Sequence, residues 1–148
     1  MYYTIQNGSI LTAQNKGALS KYYDSVQPLP ADYVIGKYVV ENNELVLNPN
    51  YEAEQAQKEA ERIAKLYLTG ADVERGIYQV IGMDFDDILT YISELKPEGV
   101  DLKALKIELK ANHFYRGNPY VDIVGELLGF SKTQLDKFFE TNDPQTLK

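Results

Sequence analysis

Short runs of alternating apolar and polar residues occupy the first fifty positions and predict a small β region. Asn7-Gly8 separates the runs YYTIQ and SILTA, and this dipeptide is favoured in two-residue hairpin turns. Asn42-Asn43 separates a second pair of runs, and asparagine tolerates the positive φ that such turns require. The runs together predict an antiparallel β-meander with a hairpin in 2–13, an extended piece at Tyr22, Tyr23 and Val26, and a second hairpin from Tyr33–Val40 and Glu44–Leu47.

The spacing of apolar residues becomes helical after Asn48-Pro49-Asn50. Small and apolar side chains then recur in alternating steps of three and four, which is the a/d pattern of a short coiled coil. Alanines in such a seam allow a partner helix to approach closely, but two heptads alone are marginally stable. We therefore predict a connecting helix that packs on its own chain or on a second copy through Ala53, Ala56, Ala60, Ile63 and Tyr67.

The remaining chain predicts five short helices, because nearly every boundary carries a cap or a stop. Thr69 with Asp72 resembles a capping box, and Asp84 and Asp101 can cap the next two helices. The third helix is expected to continue to Phe114. The last two lie in Arg116–Glu140, with Asn118, Pro119, Gly129, Ser131 and Gln134 at their ends and Leu135, Phe138 and Phe139 on the inner side of the second.

These elements predict an α+β protein with an N-terminal antiparallel β-meander, a connecting helix and a C-terminal bundle of short helices. The expected parts are a β-rich domain over 1–49, the helix over 50–68, a helical domain over 69–141 and a flexible tail over 142–148.

The final pair of helices has two interpretations, a DNA-reading helix-turn-helix or the closing pair of the bundle. The net charge is −7, and residues 71–148 hold nine lysines and arginines against fourteen acids. A recognition helix would present Lys132 and Lys137 beside Asp136 and Glu140, which is a poor surface for phosphates. We therefore expect packing, with a DNA-binding regulator as the alternative. The negative charge also disfavours a polybasic membrane-binding role, and no apolar run reaches the ~20 residues of a membrane span, so a soluble protein is expected.

The residues give no catalytic, cofactor or metal site. Asp84, Asp86 and Asp87 lead directly into an apolar helix face, so they are interpreted as helix-cap residues rather than as a calcium loop. His113 is the single histidine, no cysteine is present, and no serine lies in a nucleophile-elbow context. His113 is interpreted as a residue at a helix C-terminus.

Tyrosine is abundant, with twelve residues in the chain and seven of them within the first 51. Tyrosine offers a large contact area with a polar tip and is enriched at recognition surfaces, although it also suits strands. Both interpretations remain open, and the predicted partner surface consists of Tyr22, Tyr23, Tyr33 and Tyr38.

Two stretches carry a resemblance to a family. ADYVIGKYVVENNELVLNPNYEAEQAQKEAERIAKLYLTGADVERGIYQ resembles small proteins of prophages and tailed phages that are encoded near tail and tail-fibre genes, and RGNPYVDIVGELLGFSKTQLDKFFE is similar to the end of their helical module. The resemblance covers about residues 30–140 and lies in the style and order of segments. It implies a non-enzymatic structural or assembly role, with other tail proteins or a second copy as partners, in the bacterial host cytoplasm during assembly or in the virion. It implies no active-site residues.

Overall fold

The computed structural model describes residues 1–148 and confirms the α+β class. The chain divides into two units, Met1–Gln57 and Lys58–Lys148. The strands are β1 Tyr2–Gln6, β2 Ser9–Ala13, β3 Gln27–Pro28, β4 Tyr38–Glu41, β5 Glu44–Leu47, β6 Tyr67–Thr69 and β7 His113–Tyr115. The helices are α1 Lys16–Ser20, α2 Tyr51–Ala64, α3 Gly70–Ile81, α4 Phe85–Leu95, α5 Leu102–Glu108, α6 Pro119–Leu127 and α7 Lys132–Thr141, followed by a 3₁₀ helix at Pro144–Leu147.

The N-terminal strands form two separate sheets. Both hairpin turns are confirmed, with positive φ at Asn7 and Gly8 and again at Asn42 and Asn43. The predicted single meander is wrong, because β1 lies between β2 and β3 while β4 pairs with β5 alone. The short helix α1 follows β2 and packs on β1 and β2, and the chain then returns along the far edge of β1.

Two predicted strand starts are also wrong. The extended piece expected near Tyr22 begins later, at β3, because the chain leaves α1 through a turn whose Tyr22 and Tyr23 amides bond to the carbonyl of Leu19. β4 begins at Tyr38 rather than at Tyr33, because the intervening residues form a turn in which the Lys37 amide bonds to the Val34 carbonyl.

All five predicted C-terminal helices are present, and each begins at its expected cap. The side chains of Thr69, Asp84, Asp101, Asn118 and Ser131 each accept a hydrogen bond from a first-turn backbone amide. Two of these caps are complete capping boxes, at Asp84 and at Ser131. The carboxylates near Asp84 are thus explained by helix initiation, as the sequence predicts.

A two-stranded ribbon replaces the predicted ends of two helices. α2 ends at Ala64 and α5 at Glu108, so Tyr67 and His113 lie in strands β6 and β7 instead of in helices. The ladder pairs Tyr67 with Tyr115 and Thr69 with His113. The alternate residues Leu68 and Phe114 point inward and are buried, which anchors the ribbon on the helical core.

Helix α7 packs against two glycines of neighbouring helices. A Cβ added at Gly125 of α6 would lie 2.5 Å from Cδ1 of Leu135, and a Cβ at Gly76 of α3 would overlap the ring of Phe138. Phe138 is 1% exposed. Mid-helix glycine costs roughly 0.5–1 kcal/mol relative to alanine, so its presence at both contacts indicates that the close approach of α7 is worth more than that.

A buried arginine links the ribbon to α6 and α7. The Arg116 side chain is 7% exposed, and its Nη1 lies 2.9 Å from Oδ1 of Asp122 while its Nε lies 2.7 Å from Oδ1 of Asp136. Both carboxylates are partly exposed, so their desolvation cost is limited. The fork geometry of a guanidinium lets one side chain bind two helices at once.

The C-terminal segment is ordered, contrary to the predicted flexible tail. Asp143 caps the 3₁₀ helix, and Leu147 is buried in the core. Nε2 of Gln134 also donates to the backbone carbonyl of Lys148 at 3.1 Å. Leu147 therefore docks the C-terminal segment on the core, because burial removes its apolar side chain from water.

We expect Arg116→Ala to lower the free energy of unfolding by about 2 kcal/mol, because it removes the link between β7, α6 and α7 and leaves two carboxylates without their cation. Urea unfolding followed by circular dichroism measures the change. Arg75→Ala is the matched control, since Arg75 pairs with Asp72 at the surface and its loss should cost less than about 0.5 kcal/mol. Equal losses in the two variants would contradict a structural role for Arg116.

Candidate interaction surfaces

The N-terminal unit has almost no buried side chains. Within Met1–Gln57 the buried residues are Thr4 and Leu19. From Ser20 to Tyr67 no residue is buried, although this stretch contains the β4–β5 hairpin and the whole of α2. Regular secondary structure without a core is stabilised little by the chain itself, because most helix and hairpin stability comes from packing.

The β4–β5 hairpin is apolar on both faces. Its register pairs Tyr38 with Leu47, Val39 with Val46 and Val40 with Leu45, and none of these side chains is buried. Leu47 is 60% exposed. Strands that are apolar on both faces are typical of sheets covered on both sides, and here no side chain on either face is fully buried. This hairpin is the first candidate interaction surface.

Four of the five residues predicted as a self-association seam lie on α2. Ala53, Ala56 and Ala60 are exposed and Ile63 is half-buried, and no residue of the helix is buried. The fifth predicted residue, Tyr67, is not on the helix, because the amide of Arg116 bonds to the carbonyl of Leu66 and draws the following residues into the ribbon. The four residues that remain on the helix form the α2 seam, which consists of Ala53, Ala56, Ala60 and Ile63.

The structure brings together two of the four tyrosines predicted as a partner surface. The rings of Tyr33 and Tyr38 stack, with centroids 5.9 Å apart. Tyr22 lies beside α1, 71% exposed, with Nζ of Lys21 5.6 Å from its ring centroid, and Tyr23 is half-buried.

One carboxylate organises the start of the β4–β5 hairpin. Nζ of Lys37 lies 2.7 Å from Oδ2 of Asp32, and the hydroxyl of Tyr38 donates to Oδ1 at 2.8 Å. The hydrogen bond from Lys37, and then that from Tyr38, lowers the pKa of Asp32. The hydrogen bond to Asp32 raises the pKa of Tyr38, because the carboxylate holds the phenol proton, whereas the charge of Lys37 acts in the opposite direction.

The ribbon carries an exposed aromatic cluster that the sequence patterns do not predict. The Tyr67 ring contacts the rings of His113 and Tyr115, with centroids 5.5 and 5.7 Å away. Tyr67 and Tyr115 are each more than half exposed. The signal was present in the alternation of YLT and HFY, but each run is only three residues long and lies next to a helical pattern.

The polar side chains of α7 are largely used within the chain. Gln134 completes the capping box, Asp136 binds Arg116, and Glu140 lies 2.9 Å from Nη2 of Arg62. Lys132 and Lys137 remain exposed. The face that a DNA-reading helix would present therefore offers two lysines beside two acids already engaged in ion pairs.

Two cavities differ in size and chemistry. The helical core holds an apolar cavity of about 50 Å³ next to Phe138, and the N-terminal unit holds a polar cavity of about 270 Å³. Small-molecule pockets usually measure 300–1,000 Å³, so the apolar cavity is a packing defect. No group of three or more His, Asp or Glu side chains could hold a metal ion.

Comparisons with protein-family models, curated proteins and solved structures give no match to this chain. None of its helices combines the length and the apolar character needed to cross a membrane.

We expect Asp32→Asn to lower the pKa of Tyr38 toward the ordinary value of 10.0, because an amide no longer holds the phenol proton. In the unaltered protein the pKa of Asp32 lies below its ordinary value of 3.8. The Asp32 carboxylate should therefore make its full contribution to the free energy of unfolding above pH 3.8. This contribution should disappear as the pH falls through the lower pKa of the folded state. NMR titration of the Tyr38 ring and the Asp32 carboxyl carbon measures both values. Tyr33→Phe is the control, since it leaves Asp32 in place, and Tyr38 in this variant should titrate as in the unaltered protein.

Proposed function

We propose that this protein is a non-enzymatic assembly component that works through protein–protein contacts, with the phage or prophage tail as the setting that the resemblance implies. The observation that carries the proposal is the near absence of buried residues in Met1–Gln57. Its partners are then a second copy or other tail proteins, met in the host cytoplasm during assembly or in the virion.

The energetic argument concerns the β4–β5 hairpin. Burying one valine or leucine side chain fully contributes roughly 1.5–3 kcal/mol, and the hairpin offers Val39, Val40, Leu45, Val46 and Leu47. A domain of about 60 residues is only marginally stable even with a good core. A partner that covers this hairpin would therefore supply much of the stability that the N-terminal unit lacks.

The α2 seam favours a second copy as one partner. Its alanines permit close approach of helices, and their steps of three and four match an identical helix in the same register. The seam is short, so pairing of α2 alone would be weak. The hairpin ends at Leu47 and the helix begins at Tyr51, so an assembly that engages one can also engage the other.

We expect sedimentation velocity to show self-association that increases with protein concentration. Ala56→Glu together with Ala60→Glu should shift the protein to monomer, because two carboxylates would enter an apolar seam without partners. Gln55→Glu is the control for added charge, since it places one carboxylate on α2 outside the seam. A strict monomer at high concentration, or a double variant that sediments like the unaltered protein, would overturn self-association through α2.

A further inference from the structure

The polar cavity lies along an incomplete strand edge within the N-terminal unit. β3 begins at Gln27, opposite Tyr3 of β1, so its ladder does not reach the rest of β1, which continues to Gln6. The cavity occupies the place that a longer β3 would fill. We call it the strand slot, and it is lined by Tyr3, Thr4, Ile5, Ser25, Gln27, Asn43, Glu44 and Leu45.

The backbone of Ile5 faces this slot without a partner. In the β1–β2 hairpin Gln6 pairs with Ser9 across a two-residue turn, so hydrogen-bonded pairs alternate and Ile5 turns its N–H and C=O away from β2. The β1–β3 ladder stops at Tyr3, and no other group in the chain bonds to the Ile5 backbone. An unpaired strand edge is a template for another strand.

The far wall of the slot is acidic. Glu44 is its single charged residue, and Glu44 lies directly across the hairpin from Glu41. Like charges opposite each other on a ladder repel, and a cation placed beside them would relieve this repulsion. The other polar side chains are the hydroxyls of Tyr3 and Ser25 and the amides of Gln27 and Asn43.

Thr4, which is among the residues lining the slot, is itself buried. It is 2% exposed, and its hydroxyl oxygen is buried without a hydrogen-bond partner, the one such atom in the chain. Buried hydroxyls in folded proteins are nearly always hydrogen-bonded, so this exception calls for an explanation.

We propose that the strand slot binds an extended peptide segment of a partner protein, which adds to β1 in continuation of β3 and places a lysine or arginine beside Glu44. The backbone of the peptide pairs with the N–H and C=O of Ile5, and its basic side chain forms an ion pair with Glu44. A cavity of about 270 Å³ is small for a compact ligand but accommodates a short piece of extended chain. This binding does not require self-association through α2.

The test is an NMR titration of the full chain with the blocked pentapeptide acetyl-Ser-Val-Lys-Val-Ser-amide, up to about 5 mM. We expect shifts of the Ile5 and Ser25 amides and slower hydrogen exchange at Ile5, because its N–H becomes hydrogen-bonded. The same peptide with glutamate in place of lysine should bind about tenfold more weakly. A peptide methylated on the three central backbone nitrogens should also lose about tenfold, because it cannot donate in a ladder.

Two variants locate the site. Ile5→Pro removes the unpaired backbone donor of Ile5, at a position beyond the β3 ladder where proline is tolerated, and Ile5→Val keeps that donor as its control. We expect Ile5→Pro to weaken binding about tenfold and Ile5→Val to leave it unchanged. Glu44→Gln should remove the preference for the lysine peptide, whereas Glu52→Gln on α2 should not.

Three results would overturn the proposal: no shift at Ile5 at the highest peptide concentration, equal binding of the methylated peptide, or a lysine preference that survives Glu44→Gln. Equal binding of the methylated peptide, with shifts confined to Glu44, would show capture of a cation alone. If Ile5→Pro fails to fold, the methylated peptide and Glu44→Gln still decide the question.

Discussion

The close approach of α7 to α3 and α6 is the constraint on which the helical unit depends. Phe138 packs at Gly76 and Leu135 at Gly125, so the apolar face of α7 reaches the backbone of both neighbours. A methyl group at either glycine would force the helices apart and disturb the core around Phe138, Ile88 and Ile92. Gly76 and Gly125, which are unfavourable within helices, are therefore both explained by the packing of α7 against them.

Polar contacts fix the relative arrangement of the packed elements. Apolar side chains fit together in several ways, but the guanidinium of Arg116 meets Asp122 and Asp136 in one arrangement of β7, α6 and α7. The helix pair α6 and α7 is thus held together from within by a buried cation. The N-terminal unit has no comparable element, since its one buried polar side chain, Thr4, is unpartnered.

Local chemistry explains which features the sequence could predict. Helix starts depend on a side chain and an amide two or three residues away, so Thr69, Asp84 and Ser131 were identifiable from sequence. The spacing of Ala53, Ala56 and Ala60 similarly predicted that these residues lie on one helix. Tyr67 and His113 were misplaced because their strand conformation depends on pairing across the ribbon, which overrides helical spacing nearby. The strand slot was not predictable, because it lies between an edge that β3 leaves open and a hairpin tip distant in sequence.

The β6–β7 ribbon also has a consequence for how the chain can fold and vary. It closes a loop that contains α3, α4 and α5, since Gly70 bonds to Asn112 at one end and Arg116 to Leu66 at the other. Closing such a loop costs entropy that rises only as the logarithm of its length, about 0.6 kcal/mol per doubling. Helices inside the loop can form early from local contacts, while the ribbon must wait for two distant segments to meet. Insertions at the exposed turn around Gly99 would lengthen the loop at little thermodynamic cost, but a proline at Leu68 or Phe114 would remove a ladder hydrogen bond and open it.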